Sequence, residues 1–247
     1  MRQLTDLEKR LTAAERERSS PNVRPRDAAT LIIVDRSGAT PKVLLGKRHH
    51  GHKFMPGKFV FPGGRLEPTD RLMPVAAPLN AYTEKYLMHG TRRPSIGRAR
   101  GLALAAIRET FEETGLILGA PLSNAGPVPE GPWTEFAKAG FYPDLSSLHF
   151  IARAITPSRR PRRFDTRFFA VDAATIAHKV ENVVHADAEL VELVWMPISE
   201  ARNLDMPTIT GVVLQELEAR VAEGFGHELP VPFYRMPRKT FFRDLIA

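Results

Sequence analysis

"RETFEETGL", residues 108–116, sets three glutamates beside an arginine at the end of a helix-forming run and closes on a glycine. Glu109, Glu112 and Glu113 stand at i, i+3 and i+4, the spacing at which like charges on a helix repel. Leu104, Ile107 and Phe111 fall within about 60° of one another at 100° per residue, so they make an inward stripe with the glutamates turned away from it. Residues 102–114 are therefore predicted as the strongest helix of the chain, stopped by Gly115 in the C′ position. Three carboxylates within one turn destabilise a helix unless a cation neutralises them. Hard divalent ions such as Mg²⁺ take oxygen ligands, and a rigid helix would present a preformed cluster of them. Arg108, four residues before Glu112, can hold that carboxylate. The competing reading is an ordinary solvated helix face.

Composition narrows the choice. The chain has 247 residues, 43% of them hydrophobic, enough for a sizeable core in one embellished domain or two small ones. No apolar run is long enough to span a bilayer, and no charged-then-apolar signal segment opens the sequence. Cysteine is absent. That excludes disulfides and thiolate metal sites and makes a reducing cytoplasm the default location. A net charge of +7 points to an anionic partner, a nucleotide or phosphate ester as readily as a nucleic acid.

Residues 2–18 favour helix, with Leu4, Leu7 and Leu11 as a thin stripe that would dock weakly or pair with a second chain in a homodimer. Residues 19–25 read as a linker, so that 1–25 form an N-terminal helix and linker ahead of a main domain over 26–229. Residues 28–34 and 43–47 are predicted as a hairpin, and 59–61 as a short strand running into Pro62-Gly63-Gly64. Residues 71–97 are rich in Pro and Gly without periodicity. Residues 149–155 and 167–173 read as paired strands, 190–196 as another strand, 198–203 and 208–222 as helices, and 230–247 as an irregular tail. Hairpins mixed with helices, without regular βαβ alternation, indicate an α+β or layered α/β/α fold.

Upstream of the glutamate helix stands FPGGRLEPTD, residues 61–70, with two glycines that permit close backbone approach. With this segment the sequence resembles the Nudix hydrolases, whose signature is G-x5-E-x7-R-E-U-x-E-E-x-G-U, U being a bulky aliphatic residue. Gly64 supplies the first glycine, and Arg108, Glu109, Glu112, Glu113, Gly115 and Leu116 supply the second half in order. Asp70 stands in place of the first glutamate, and Thr110 in the first U position. Thirty-seven residues separate Asp70 from Arg108, where the pattern has seven, so about 71–100 is an insertion within the motif. The interrupted motif and the lead-in LLGKRHHGHKFMPGKFVFPGG are similar to the branch with the peroxisomal coenzyme A diphosphatases. The resemblance covers roughly residues 28–217.

It implies an α+β, Nudix-type α/β/α sandwich with a mixed sheet, hydrolysing the diphosphate of a nucleoside-diphosphate derivative with Mg²⁺ or Mn²⁺. Coenzyme A or an acyl-CoA leads; NADH, ADP-ribose and other dinucleotides are alternatives, as is a nucleotide-sensing regulator without turnover. Glu109 and Glu113 are implied as direct metal ligands, Glu112 as sharing a second ion, and the Gly64 carbonyl as a further ligand. Arg108 would orient a carboxylate. A general base often comes from a later loop, where Glu189 and Glu192 are candidates and Asp187 is no better placed. SRRPRRFDTR, residues 158–167, suggests a phosphate clamp, with Arg162, Arg163 and Arg167, together with Arg48, as substrate-binding candidates. His49, His50 and His52 read as a surface or phosphate-contacting loop rather than a metal site, because adjacent strand residues point apart. Trp195 reads as core; Trp133 and Phe136 as base-stacking or as packing under a loop. Neither a nucleic-acid-binding module nor a membrane partner is expected.

Overall fold

Residues 31–34, LIIV, are apolar without a break because both faces of their strand are covered. Leu31 and Ile33 pack into one core, Ile32 and Val34 into a second on the opposite face. The computed structural model describes residues 4–14, 19–52, 55–91, 93–121 and 126–247. The chain begins with helix α1 (Asp6–Ala13), then strands β1 (Arg26–Asp35) and β2 (Lys42–Arg48), which form the predicted hairpin with Val34 opposite Val43. Strands β3 (Phe59–Val60) and β4 (Gly63–Arg65) are short and pair with β2 and β1. Helix α2 (Ala81–Met88) and the long helix α3 (Ile96–Thr114) precede β5 (Leu116–Ala120), helix α4 (Pro132–Lys138) and β6 (Tyr142–Pro143). Strands β7 (His149–Ile155), β8 (Phe164–Asp172), β9 (Ile176–Lys179) and β10 (Leu190–Pro197) follow. Helices α5 (Ile198–Ala201) and α6 (Thr208–Ala222) and strands β11 (Val231–Arg235) and β12 (Phe242–Ile246) complete the chain.

The main sheet runs β10-β2-β1-β8-β7-β11-β12, with β3 and β4 attached at β2 and β1. β1 pairs parallel with β8 and β11 parallel with β7; the other pairs are antiparallel, so the sheet is mixed. Helices α2, α3 and α4 share one core with the small sheet β6-β5-β9, while α1, α5 and α6 build the other. The result is the layered α+β sandwich that the sequence implied.

Helix α3 starts a turn and a half earlier than predicted, at Ile96, where the Ser95 hydroxyl accepts a hydrogen bond from the Arg98 amide. Its end is as read: Gly115 adopts the left-handed conformation (φ 76°), and a Cβ there would overlap the Val180 carbonyl oxygen.

Three readings are corrected. The segment after residue 230 is not irregular: β11 and β12 extend the main sheet, with Tyr234 opposite Ala154 of β7. The interrupting segment is partly helical, its α2 capped by Asn80 and burying Tyr86 and Leu87 against the α3 side. Trp195 is 44% exposed, because β10 is an edge strand. The predicted helix over 2–18 is observed as α1, with 2–3 and 15–18 outside the described residues. Its leucine stripe is used within the chain, where Leu11 is buried and Leu7 packs beside it in the core that α6 helps to build. Thr5 and Glu8 make a reciprocal capping box, and the buried Glu8 also accepts from the Arg243 amide of β12 at 2.6 Å.

Candidate active site

Asp70 and Arg108, 38 positions apart in sequence, meet in the interior: Arg108 Nε donates to Asp70 Oδ1 at 2.8 Å and Nη2 to Oδ2 at 3.3 Å. Arg108 Nη2 also donates to the Arg65 carbonyl of β4 at 2.9 Å. Its Nη1 reaches Glu109 Oε1 at 2.9 Å and Glu112 Oε1 at 3.2 Å. One buried guanidinium thus joins Asp70, the glycine strand and two glutamates. Burial opposes its charge, but the hydrogen bond it donates to Asp70 and the negative charges of Glu109, Asp70 and Glu112 outweigh this and raise its pKa. Asp70 is itself completely buried. Arg108 thus lies behind the carboxylates and donates to two of them.

The glutamates differ in setting. Glu113 is buried and accepts from the Gly63 amide at 3.4 Å; Glu109 is half-buried and Glu112 exposed. Burial raises the Glu109 carboxyl to about 7 against the pull of Arg108, with Glu112 and Glu189 adding to the rise. Burial is also the main cause of the rise at Glu112. At Glu113 burial, then Glu189 and Glu109, push the carboxyl well above its usual range, opposed by Arg48. A Cβ on Gly64 would overlap the Glu109 carboxylate as it stands, so the glycine lets this backbone lie directly against that side chain.

Among the described residues no three His, Asp or Glu side chains are gathered into a ready metal cage. Glu109 and Glu112 share Arg108 and Glu113 meets an amide. The donor set is nevertheless of hard carboxylate oxygens crowded on one helix face, the chemistry that suits Mg²⁺ or Mn²⁺.

A second wall faces this helix. Glu189 stands just before β10 and is held by main-chain pairing at the end of β2, the His49 amide donating to its carbonyl at 3.0 Å. Arg48 Nη2 donates to Glu189 Oε1 at 2.7 Å and lies 2.9 Å from His52 Nδ1. Since Glu189 raises Glu113 and Glu109 and Arg48 acts on Glu113, this pair borders the carboxylate face. Glu192 lies 3.8 Å from Lys47, and it and Asp187 are exposed, as Glu189 itself is.

The arginine stretch divides. Arg162 is exposed. Arg163 is spent inside the chain, donating to the Thr156 and Val23 carbonyls and to Asn22 Oδ1. Arg167 is corrected: it is 0% exposed, donating to Asp27 Oδ1 at 2.9 Å and to the Asp165 carbonyl at 2.7 Å, so it is a strut of the sheet rather than a ligand contact. Trp133 and Phe136 are fully buried, and Trp133 Nε1 donates to Asp70 Oδ1 at 3.2 Å. Nothing in the sequence signalled that link. His49 turns back on the Gly51 amide, consistent with a loop rather than a metal site.

No family model matches the sequence. A crystal structure of a Nudix hydrolase from Alicyclobacillus acidocaldarius superposes with a TM-score of 0.60 at 27% identity, covering 80% of this chain and 92% of that one. The chain has the Nudix fold, and its sequence likeness is to Nudix hydrolases. Among curated proteins it is similar to the acyl-coenzyme A diphosphatase NUDT19 of Gallus gallus, at 26% identity over 71% of this chain and 62% of that protein. It is also similar to a putative nudix hydrolase 7 of Caenorhabditis elegans, at 27% identity over 58% of this chain and 43% of that protein. The matched part thus spans less than two thirds of these relatives.

Proposed function

We propose that the chain is a metal-dependent hydrolase of the diphosphate linkage in a nucleoside-diphosphate derivative, with coenzyme A or an acyl-CoA as substrate. The observation that carries this reading is the Arg108-centred face, in which Asp70 fixes a guanidinium that gathers Glu109 and Glu112 beside Glu113 and the Gly63-Gly64 turn. Glu109, Glu112, Glu113 and the Gly64 carbonyl would hold Mg²⁺ or Mn²⁺. When bound, such an ion neutralises phosphate oxygens and makes the attacking water more acidic. Glu189, held by Arg48, is the general base of this reading, and exposed Glu112 borders the side from which substrate enters. The acyl-CoA choice draws support from the name of the chicken relative. Arg162, on an exposed loop, remains the candidate for a phosphate distant from the scissile bond.

A panel of diphosphates (coenzyme A, acyl-CoA, NADH, ADP-ribose) with Mg²⁺ and Mn²⁺ tests this by the phosphate products formed. Turnover abolished by EDTA and restored by either metal is the expected result. Tight nucleotide binding without product across the panel would overturn it in favour of a sensor.

A further inference from the structure

The Asp70 carboxylate is saturated by donors from three parts of the chain. Oδ1 accepts from Arg108 Nε at 2.8 Å and from Trp133 Nε1 at 3.2 Å. Oδ2 accepts from the Glu67 amide at 2.8 Å and from Arg108 Nη2 at 3.3 Å. It cannot rotate without breaking several bonds in a dry interior, where an orphaned charge is expensive. The indole is equally fixed. Trp133 meets Phe136 edge-on with ring centroids 5.5 Å apart, and Phe136 meets Phe111 of α3 edge-on at 5.2 Å. The direction of the Trp133 N–H is therefore set by the same helix that carries Arg108.

We propose that Trp133 is a positioning residue for the carboxylate face: its indole N–H pins Asp70 so that Arg108 keeps Nε and Nη2 turned inward and offers only Nη1 to Glu109 and Glu112. The proposal rests on the metal-binding reading of that face. If Asp70 turns away, Arg108 loses its two-pronged partner and is drawn further onto the two glutamates, whose oxygens are then withheld from a cation. Packing alone would need a large ring at position 133, not a donor aimed at Asp70. A long-range hydrogen bond that orients a group behind the ligands acts on affinity through geometry.

The test removes only the N–H. Replacing Trp133 with 3-benzothienylalanine keeps ring size and swaps the N–H for sulfur; Trp133→Phe is the encoded companion. Two readouts are taken on the whole chain: hydrogen exchange of the Arg108 Nε–H by NMR, assigned through its loss in Arg108→Lys, and Mn²⁺ affinity by electron paramagnetic resonance. Faster exchange together with a dissociation constant raised about tenfold is the expected result. Unchanged exchange overturns the proposal, as does faster exchange with unchanged Mn²⁺ affinity. A parent chain that binds no Mn²⁺ overturns the metal reading, and the proposal with it; that failure shows in the parent and not in the variants.

Discussion

Glu189 accepts a hydrogen bond from Arg48 Nη2 at 2.7 Å, and this pair lies where its charges act on Glu113 and Glu109 of the opposing helix. A carboxylate that faces the metal-ligand candidates and is held by a cationic partner is aimed at them, which is the placement a general base for water requires. The neighbouring Glu192 lies on β10 itself and sits 3.8 Å from Lys47. A register shift between Leu190 and Glu192 lies between the two glutamates, so their different settings do not follow from simple strand alternation.

Glu189→Gln keeps shape and removes basicity, so kcat should fall by about 10²- to 10⁴-fold with KM nearly unchanged, while Glu192→Gln should leave both near the parent values. Steady-state kinetics on the best substrate of the panel check this. Equal losses in the two variants would dismiss Glu189 as the base.

Glu109→Gln and Glu113→Gln each remove one charge from the crowded face. Metal affinity and turnover should fall together, turnover by about 10²-fold or more. Isothermal titration with Mn²⁺ alongside kinetics gives both numbers. Full activity in both variants would mean that α3 is not the metal helix.

Arg167→Leu should leave KM untouched and lower stability. Its guanidinium is wholly buried between Asp27 and Asp165, and removing one partner of a buried pair costs about 3–5 kcal/mol. Urea unfolding measures the loss. Arg162→Ala, on the exposed loop, should show the reverse pattern, a raised KM for coenzyme A with stability unchanged within about 0.5 kcal/mol. A raised KM in Arg167→Leu at normal stability would restore that residue to the substrate site.

The division between those two arginines shows where sequence reading reaches its limit. Five arginines within residues 158–167 look like one patch, but the chain enters β8 at Phe164 and carries Arg167 into the interior. The carboxylate helix was legible because its chemistry is local: spacing i, i+3, i+4, a glycine stop, and Asp70 at the pattern's offset. Strand β1 was legible because burial on both faces leaves an unbroken apolar run. Strand β11 was not, since Pro232 breaks its strand signal and its place is set by parallel pairing with β7, 80 residues earlier at Phe233 and Arg153. Trp133 was invisible as a partner of Asp70 for the same reason: the contact spans 63 positions, and only packing on Phe136 and Phe111 aims the ring.

His149 contributes to the pH dependence of the fold. It lies between the rings of His227, 3.7 Å away and stacked, and Phe225, 4.2 Å away. Burial, then the positive charges of His227, Arg220 and Arg36, lower its pKa to about 3, against a smaller opposing hydrogen bond at Gly226. In the unfolded chain an imidazole takes up a proton near 6.5. Between those two values the unfolded state binds more protons than the folded one, so His149 removes stability as pH falls through about 6.5 toward 3. Raised carboxyls such as Glu109 act in the opposite sense from about 7 down to their unfolded value near 4.5, so the informative quantity is the difference between variant and parent. His149→Phe, which keeps an aromatic ring beside Phe225, should flatten the fall of the urea midpoint between pH 6.5 and 4. His178→Phe, a histidine exposed on β9, should not change it. An unaltered slope in His149→Phe would show that this histidine is not the group whose protonation the folded chain resists.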